Sequence, residues 1–379
     1  MKNGWEQKTF ENCIEHVEYT RKVQRKDFLL EGQFPVISQE AEFTNGFWDD
    51  EADLFKLSKP VIIFGDHTQV LKYVDFDFVL GADGVKILQS RSFLWPKFFF
   101  YQLQATELPS LGYARHYRLL KELVISIPPL SEQQRIVGLL DEAFGGLATA
   151  QAHAAQNLQN ARDLFESHLN AVFTQRGEGW VERTLGDVCE FENGDRGKNY
   201  PNREEYVEAG VPWINTGHIQ PDGALSQDEM NFITRAKFDS LRSGKIQLGD
   251  LVYCLRGATL GKTAIVDPYT EGAVASSLVI IRPSASVDSR FLYFFLVSPD
   301  GQSQIKLYDN GAAQPNLGAK SVAKYVIPVP ARTEQRRVAD ALDELRAETQ
   351  RLTRIYEQKL AALAALKKSL LHQAFCGEL

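Results

Sequence analysis

The sequence predicts an α+β chain: two α/β domains separated by two long antiparallel helices, arranged as an internal pseudo-twofold repeat. Two observations carry that prediction. The segment that begins Ile127-Pro-Pro-Leu-Ser-Glu-Gln-Gln-Arg recurs as Ile327-Pro-Val-Pro-Ala-Arg-Thr-Glu-Gln-Arg-Arg. From Ser131 and Thr333 onward the register holds at 333 minus 131, or 202 residues, through Ser167/Ser369, Leu169/Leu371 and Phe173/Phe375. The starts of the halves match as well, Trp5-Glu-Gln-Lys-Thr-Phe against Trp180-Val-Glu-Arg-Thr-Leu, at an offset of 175. The variable part of the second half is therefore 27 residues the longer, 202 minus 175. A repeat that keeps its ends and lets its middles diverge implies two related modules applied to two different targets.

The first variable block, residues 1 to about 126, alternates short apolar runs with Gly, Asp and Asn. Phe34–Ser38, Pro60–Phe64, Phe78–Leu80 and Val85–Leu88 read as strands joined by turns. Phe93–Leu103 reads as a helix whose aromatic run Phe98–Tyr101 belongs to a core. Pro128-Pro129 ends the block. Ser131 then reads as an N-cap, with Gln134 three residues on completing a capping box. The helix it opens should reach about Phe173, a rod of about 64 Å at roughly 1.5 Å per residue. Its apolar and Ala positions recur at three or four, through Ile136, Leu140, Leu158 and Phe165, as in a coiled coil or a long bundle helix. Gly145-Gly146 is expected to weaken and bend it. In the second half Trp213-Ile214, Leu251–Leu255, Thr263–Val266 and Leu278–Ile281 read as strands and Phe291–Val297 as a buried helix. The second rod, capped by Thr333, carries a stripe through Leu342, Leu345, Leu352 and Leu363. That stripe is rich in Leu and the first in Ala, which favours close antiparallel packing of small against large residues over two helices each packed on its own domain.

Composition narrows the class. With 44% hydrophobic and 24% charged residues over 379, the chain has the make-up of a soluble globular protein of two or three domains. No apolar run reaches 18 residues and no secretory leader is evident, so a cytoplasmic location without membrane contact is expected. Cys13, Cys189, Cys254 and Cys376 are isolated and read as reduced, buried or half-buried thiols. A net charge of −7 argues against a general nucleic-acid coat. Local basic clusters remain at 21–26, at 115–121 and at Arg235, Lys237, Arg242 and Lys245. Each is either a solvated face or a local contact to phosphate.

Catalytic motifs fail on spacing. Gly257-Ala-Thr-Leu-Gly-Lys-Thr263 resembles a phosphate-binding loop but has three residues, not four, before Gly-Lys-Thr. It suits contact with a DNA backbone or base edge better. No methyltransferase tetrapeptide, zinc-deaminase spacing or nuclease pattern is present, and Asp66-His67 and His218 read as satisfied polar groups before catalysts.

The duplicated Ile-Pro-x-Pro-like and (Ser/Thr)-Glu-Gln-x-Arg entries to the rods resemble the specificity subunit of type I restriction–modification enzymes, along essentially the whole chain. The ending Lys368–Leu379 fits too, as do Gly81–Gly84, Gly112–Tyr117 and Asn310–Leu317. The resemblance implies target-recognition domains at 1–126 and 177–326, with helical spacers at 127–176 and 327–379. It implies a non-catalytic phage-defence subunit that reads an asymmetric bipartite site in double-stranded DNA. Two methyltransferase subunits would dock on it, and two restriction/translocase subunits would join for cleavage. S-adenosylmethionine, ATP and Mg would reside in those partners and no cofactor in this chain. A modification-only or other phage-defence methyltransferase system is the alternative. For a reader of this kind the base contacts fall to polar loop side chains. In the first domain these are Ser38, Gln39, Asp66, His67, Thr68, Arg115 and His116. In the second they are Asn215, Thr216, His218, Arg256, Thr259, Lys262, Ser276, Ser277 and Gln314. The named rod residues, Ile136, Leu140, Leu158, Phe165, Leu342, Leu345, Leu352 and Leu363, are expected to serve the spacer and partner docking.

A duplex repeats about every 34 Å, so rod length should set the gap between half-sites. Insertion of one heptad into a rod is expected to change that gap and leave both half-site sequences as they were; sequencing of the modified bases checks it.

Overall fold

The structure is a computed structural model that describes residues 4–82, 84–112, 114–308 and 316–376. It divides into two compact units, Met1–Ala155 with Glu357–Leu379, and Gln156–Tyr356. The division thus falls within both rods: each unit owns a segment of each, where the sequence reading separated readers from spacers.

In the first unit the strand Val61–Gly65, buried throughout, pairs antiparallel with Leu71–Val74 and Val85–Leu88. A run this apolar belongs to a strand covered on both faces. In a second sheet Phe78–Gly81 runs parallel to Lys22–Val23 and Phe34–Ile37, and Gly46–Trp48 adds antiparallel to the latter. The helix Pro96–Ala105, with Pro at its first turn, buries Phe98, Phe99 and Tyr101. The second unit repeats the plan. Leu251–Cys254 pairs antiparallel with Thr263–Ile265 and Leu278–Pro283, and Val211–Ile214 runs parallel to Ala273–Val274. Ser289–Val297 is its aromatic helix, capped by the Asp288 carboxylate. Every strand expected from the sequence is present, with ends shifted by a residue or two.

Each unit closes on itself through one short ladder. Glu6–Thr9 pairs antiparallel with Val124–Ile127, Glu6 opposite Ile127. Val181–Thr184 pairs with Val326–Val329, Val181 opposite Val329. The registers are the same at the offsets of 175 and 202, so the repeat read from the sequence is a repeat of hydrogen bonds.

The rods are Leu130–Gln175 and Arg332–Cys376, of 46 and 45 residues. Helix runs unbroken through Gly145-Gly146, and Thr149 Oγ1 donates back to the Gly145 carbonyl. Ser131 and Thr333 are not N-caps, because helix begins one residue before each. The carbonyls of Pro129 and Ala331 take the first bonds, from the N–H groups of Glu132 and Gln133 and of Glu334 and Gln335. In the first unit Ile136, Val137 and Leu140 share a core with Leu371 and Ala374. In the second, Leu169 and Phe173 share one with Val338, Ala339 and Leu342. The start of one rod thus lies with the end of the other, as antiparallel rods require. Ile136, Leu140 and Leu342 are fully buried in these cores, so they hold their own unit together. Leu158, Phe165, Leu345, Leu352 and Leu363 are half-buried. Cys13, Cys189 and Cys254 are buried, whereas Cys376 is exposed, against expectation, because it lies on the outer face of the last turn.

Phe173 is completely buried, with its ring 5.4 Å from that of Phe291 and 5.6 Å from that of Phe295. Phe173→Ala is expected to destabilise the second unit by about 3–5 kcal/mol, read as a lowered denaturant midpoint.

Candidate nucleic-acid interface

Four loops converge in the first unit. One follows Phe34–Ile37, one joins Val61–Gly65 to Leu71–Val74, one joins Phe78–Gly81 to Val85–Leu88, and one precedes the short helix Tyr117–Lys121. Asp66 joins three of them. Its N–H donates to the Gly84 carbonyl and its own carbonyl accepts the His116 N–H, both at 2.7 Å. Its carboxylate accepts the Tyr117 N–H at 2.7 Å. His116 contacts the Asp66 carbonyl through Nδ1 at 3.0 Å and accepts the Leu111 N–H at Nε2 at 3.0 Å, which fits the Nδ1–H tautomer. The Gln39 side-chain oxygen accepts the His67 N–H at 3.1 Å, and Thr68 Oγ1 donates to the Gln39 carbonyl at 2.6 Å. Space there is so tight that a Cβ on Gly65 would lie 2.2 Å from Thr68 Oγ1.

The second unit builds the same junction from different residues. Leu255 N–H donates to the Ser277 carbonyl and the Leu255 carbonyl accepts the Leu317 N–H, both at 2.9 Å. Leu255 thus stands where Asp66 stands, on backbone groups alone. The loop Gly257–Lys262 is a hairpin between Leu251–Cys254 and Thr263–Ile265, turned by positive φ at Gly257 (72°) and Gly261 (85°). The Gly261 and Lys262 N–H groups bond to the Cys254 and Thr259 carbonyls, so they are not free to cradle a phosphate. Asn215 Oδ1 accepts the Gly217 N–H at 2.8 Å, and His218 Nδ1 accepts the Asn215 N–H at 3.1 Å.

The sequence candidates therefore separate into two groups. Ser38, Asp66, His116 and His218 are buried. Their polar atoms hold the loops, Ser38 Oγ for instance accepting the Glu40 N–H, and burial pulls His218 below the ordinary histidine range. In this structure these four side chains serve the framework of the loops. Thr68, Arg115, Arg256 and Thr259 are exposed, while Gln39, His67, Asn215, Thr216, Lys262, Ser276 and Ser277 are half-buried. They line the same loops. Gln314 lies outside the described residues.

Two groups escaped the sequence reading. Asp195, buried, accepts the Gly197 N–H at 2.8 Å and the Arg242 N–H at 2.9 Å; those backbone donors, Arg242 first, hold its carboxyl below the usual range. The loop it sets presents Arg196, whose guanidinium reaches the Ser276 carbonyl at 3.5 Å. The glycines flanking Asp195-Arg196 were the signal for it. Lys72 gave none, a lone lysine in an ordinary strand pattern. It is buried, and its Nζ donates to the carbonyls of Glu42 and Phe43 and to Asn45 Oδ1. It staples the loop that carries Gln39.

Charge is local. Arg21 and Arg25 pair with Asp53 and Glu40, and Arg235 and Lys237 with Glu271 and Glu205, so these members of the basic clusters are spent on ion pairs. Arg115, Arg118, Arg196, Arg242 and Arg256 make no ion pair with the described residues and are exposed. Among the described residues no group of three or more His, Cys, Asp or Glu side chains is placed to hold a metal ion, and no helix is long and apolar enough to cross a membrane.

Comparison with known proteins bears on this arrangement. The family described as the type I restriction modification DNA specificity domain matches residues 2–153 and 177–361. The type I restriction enzyme EcoR124I/EcoR124II specificity subunit of Escherichia coli is 25% identical over 353 residues, covering 87% of this chain and 84% of its own. The MjaVIII specificity subunit of Methanocaldococcus jannaschii is 21% identical over 413 residues, covering 99% and 93%. Among solved structures, a chain from a study of complex assembly and conformational transition of the type I R-M system superposes with a TM-score of 0.71 at 19% identity, covering 100% of this chain and 99% of that one. The HsdS subunit from Thermoanaerobacter tengcongensis gives 0.58 at 19% identity, covering 100% and 98%. At such identities the superpositions establish the fold.

Burial lowers the Lys72 amine from 10.5 to about 8. Above that pH the native chain has released a proton that the unfolded chain still holds, so this group makes unfolding free energy rise from about pH 8 toward 10.5. Lys72→Met is expected to remove that rise. Denaturant titrations of both proteins at pH 7, 8.5 and 10 check it.

Proposed function

The chain belongs to the type I restriction modification DNA specificity family, and from that premise we propose that its two units read the two unlike halves of a bipartite sequence in double-stranded DNA. It is the sequence-recognition subunit of a type I system and not itself a catalyst; methyltransferase partners act where it binds. The observation that carries the bipartite reading is the loop junction, in which three loops are joined by equivalent backbone bonds in both units, at Asp66 in one and Leu255 in the other, and furnished with different side chains. A common frame with unlike faces suits two half-sites of unlike sequence.

The reading assigns base contacts to the side chains the frame leaves outward. In the first unit these are Gln39, His67, Thr68 and Arg115; in the second Asn215, Thr216, Arg196, Arg256, Thr259, Lys262, Ser276 and Ser277. Arginine suits guanine O6 and N7, while Gln and Asn suit adenine N6 and N7. Gln39 is prepared for such a role, because the His67 N–H fixes its side-chain oxygen and so orients the amide nitrogen. Gln314 is proposed as a reader from sequence alone. The repeat gives one chain two equivalent docking faces, so the complex is proposed to hold two methyltransferase subunits. Leu158, Phe165, Leu345, Leu352 and Leu363 are proposed for the docking faces. Two restriction/translocase subunits join where cleavage is part of the system. S-adenosylmethionine, ATP and Mg are assigned to those partners, and the assembly to the cytoplasm.

Sequencing of methylated bases in cells that express this chain with its methyltransferase partner tests the reading. One asymmetric motif with a fixed gap is expected; a continuous motif, or methyl transfer by the purified chain alone, overturns it. Arg256→Ala is expected to weaken binding to that motif by roughly 1–3 kcal/mol and to relax one position of one half-site, measured by electrophoretic titration against single-base variants.

A further inference from the structure

In each half a completely buried glutamine ties the start of a rod to the aromatic helix of the same unit. Gln133 Nε2 donates to the Phe93 and Pro128 carbonyls, both at 2.9 Å, and Oε1 accepts the Trp95 N–H at 2.7 Å. Gln335, 202 residues on, donates to the Ser286 carbonyl at 2.9 Å and the Pro330 carbonyl at 2.8 Å and accepts the Asp288 N–H at 2.8 Å. Trp95 and Asp288 are the N-cap residues of Pro96–Ala105 and Ser289–Val297. Both glutamines are 0% exposed. Two turns further along, the clamp has an outer partner. Asp141 binds Lys97 Nζ at 2.7 Å and the Tyr101 hydroxyl at 2.5 Å, and Asp343 binds Arg290 at 3.0 Å and Arg346 at 2.6 Å.

The two kinds of contact at this joint differ in what they fix. Apolar packing of Ile136 and Leu140, or of Val338 and Leu342, is non-directional and tolerates a small slide or roll of the rod. One planar carboxamide with three backbone partners does not, because any rotation stretches at least one bond in a site where no water can replace it.

On the reading of the chain as a bipartite recognition subunit, we propose that Gln133 and Gln335 are positioning residues. They fix the angle between each unit's reading loops and its rod, and so set how strictly the number of base pairs between the half-sites is measured. One base pair more or less moves a half-site by about 3.4 Å along the duplex and about a tenth of a turn around it. A joint that yields by a comparable amount accepts the neighbouring gap. The clamp touches none of the reading side chains, so its loss leaves the bases read in each half-site unchanged.

The experiment uses the complex of the full chain with its methyltransferase partner, and duplexes carrying both half-sites at the native gap or at one base pair more or fewer. The double variant Gln133→Leu, Gln335→Leu keeps the volume and removes the bonds. Its preference for the native gap is expected to fall roughly tenfold, with half-site bases unaltered. A folded variant that keeps the wild-type gap preference, or that changes half-site bases, overturns the proposal. If the leucine variant does not fold, Lys97→Ala with Arg290→Ala loosens the same joints from outside, and the same outcomes decide. A wild-type complex with no bipartite motif overturns the recognition reading, and the clamp assignment falls with it.

Discussion

Two four-residue ladders hold this architecture together. Pairing Glu6–Thr9 with Val124–Ile127, and Val181–Thr184 with Val326–Val329, brings the first and last strands of each variable block side by side. Everything between them is free to differ, because the entry and exit of the block stay fixed. The rod leaves directly from the last strand of the ladder, with only two residues between Ile127 and Leu130, or between Val329 and Arg332. A reader of any internal sequence is thus presented to its rod from the same starting point, and the glutamine clamp then settles the angle.

Buried polar groups do the framing inside each unit. Asp66 joins three loops through four bonds, and Asp195 sets a turn by accepting two backbone N–H groups. A carboxylate in such surroundings is tolerable only because it is satisfied. The same burial that makes these groups good fasteners removes them from contact with a ligand. Arginines and amides remain at the loop surface, where the proposed reading assigns recognition. Division between buried fasteners and exposed loop side chains explains how a chain with an overall negative charge presents basic groups locally.

Much of this was legible in the sequence. Val61–Phe64, Leu251–Cys254 and Leu278–Ile281 are uninterrupted apolar runs, and all became central strands. The 202-residue register read from Ser131 and Thr333 became equivalent ladders and equivalent clamps. Polar residues were the least legible. Ser131 and Thr333 look like caps, but a proline-led turn started each helix first, and the neighbouring glutamine that matters bonds across to another helix. Ser38, Asp66, His116 and His218 look like loop readers until their burial is known, and one sequence does not encode which way a loop side chain faces. Lys72 was invisible for a related reason, since a lysine in a strand is ordinarily at the surface.

The junctions at Asp66 and Leu255 are made largely of peptide N–H and C=O groups, which all residues but proline carry alike. Such a scaffold is indifferent to the alphabet displayed on it. Its address can therefore drift one letter at a time without a folding penalty, provided that proline stays away from positions 66, 116, 255 and 317, where the missing hydrogen would open the seam.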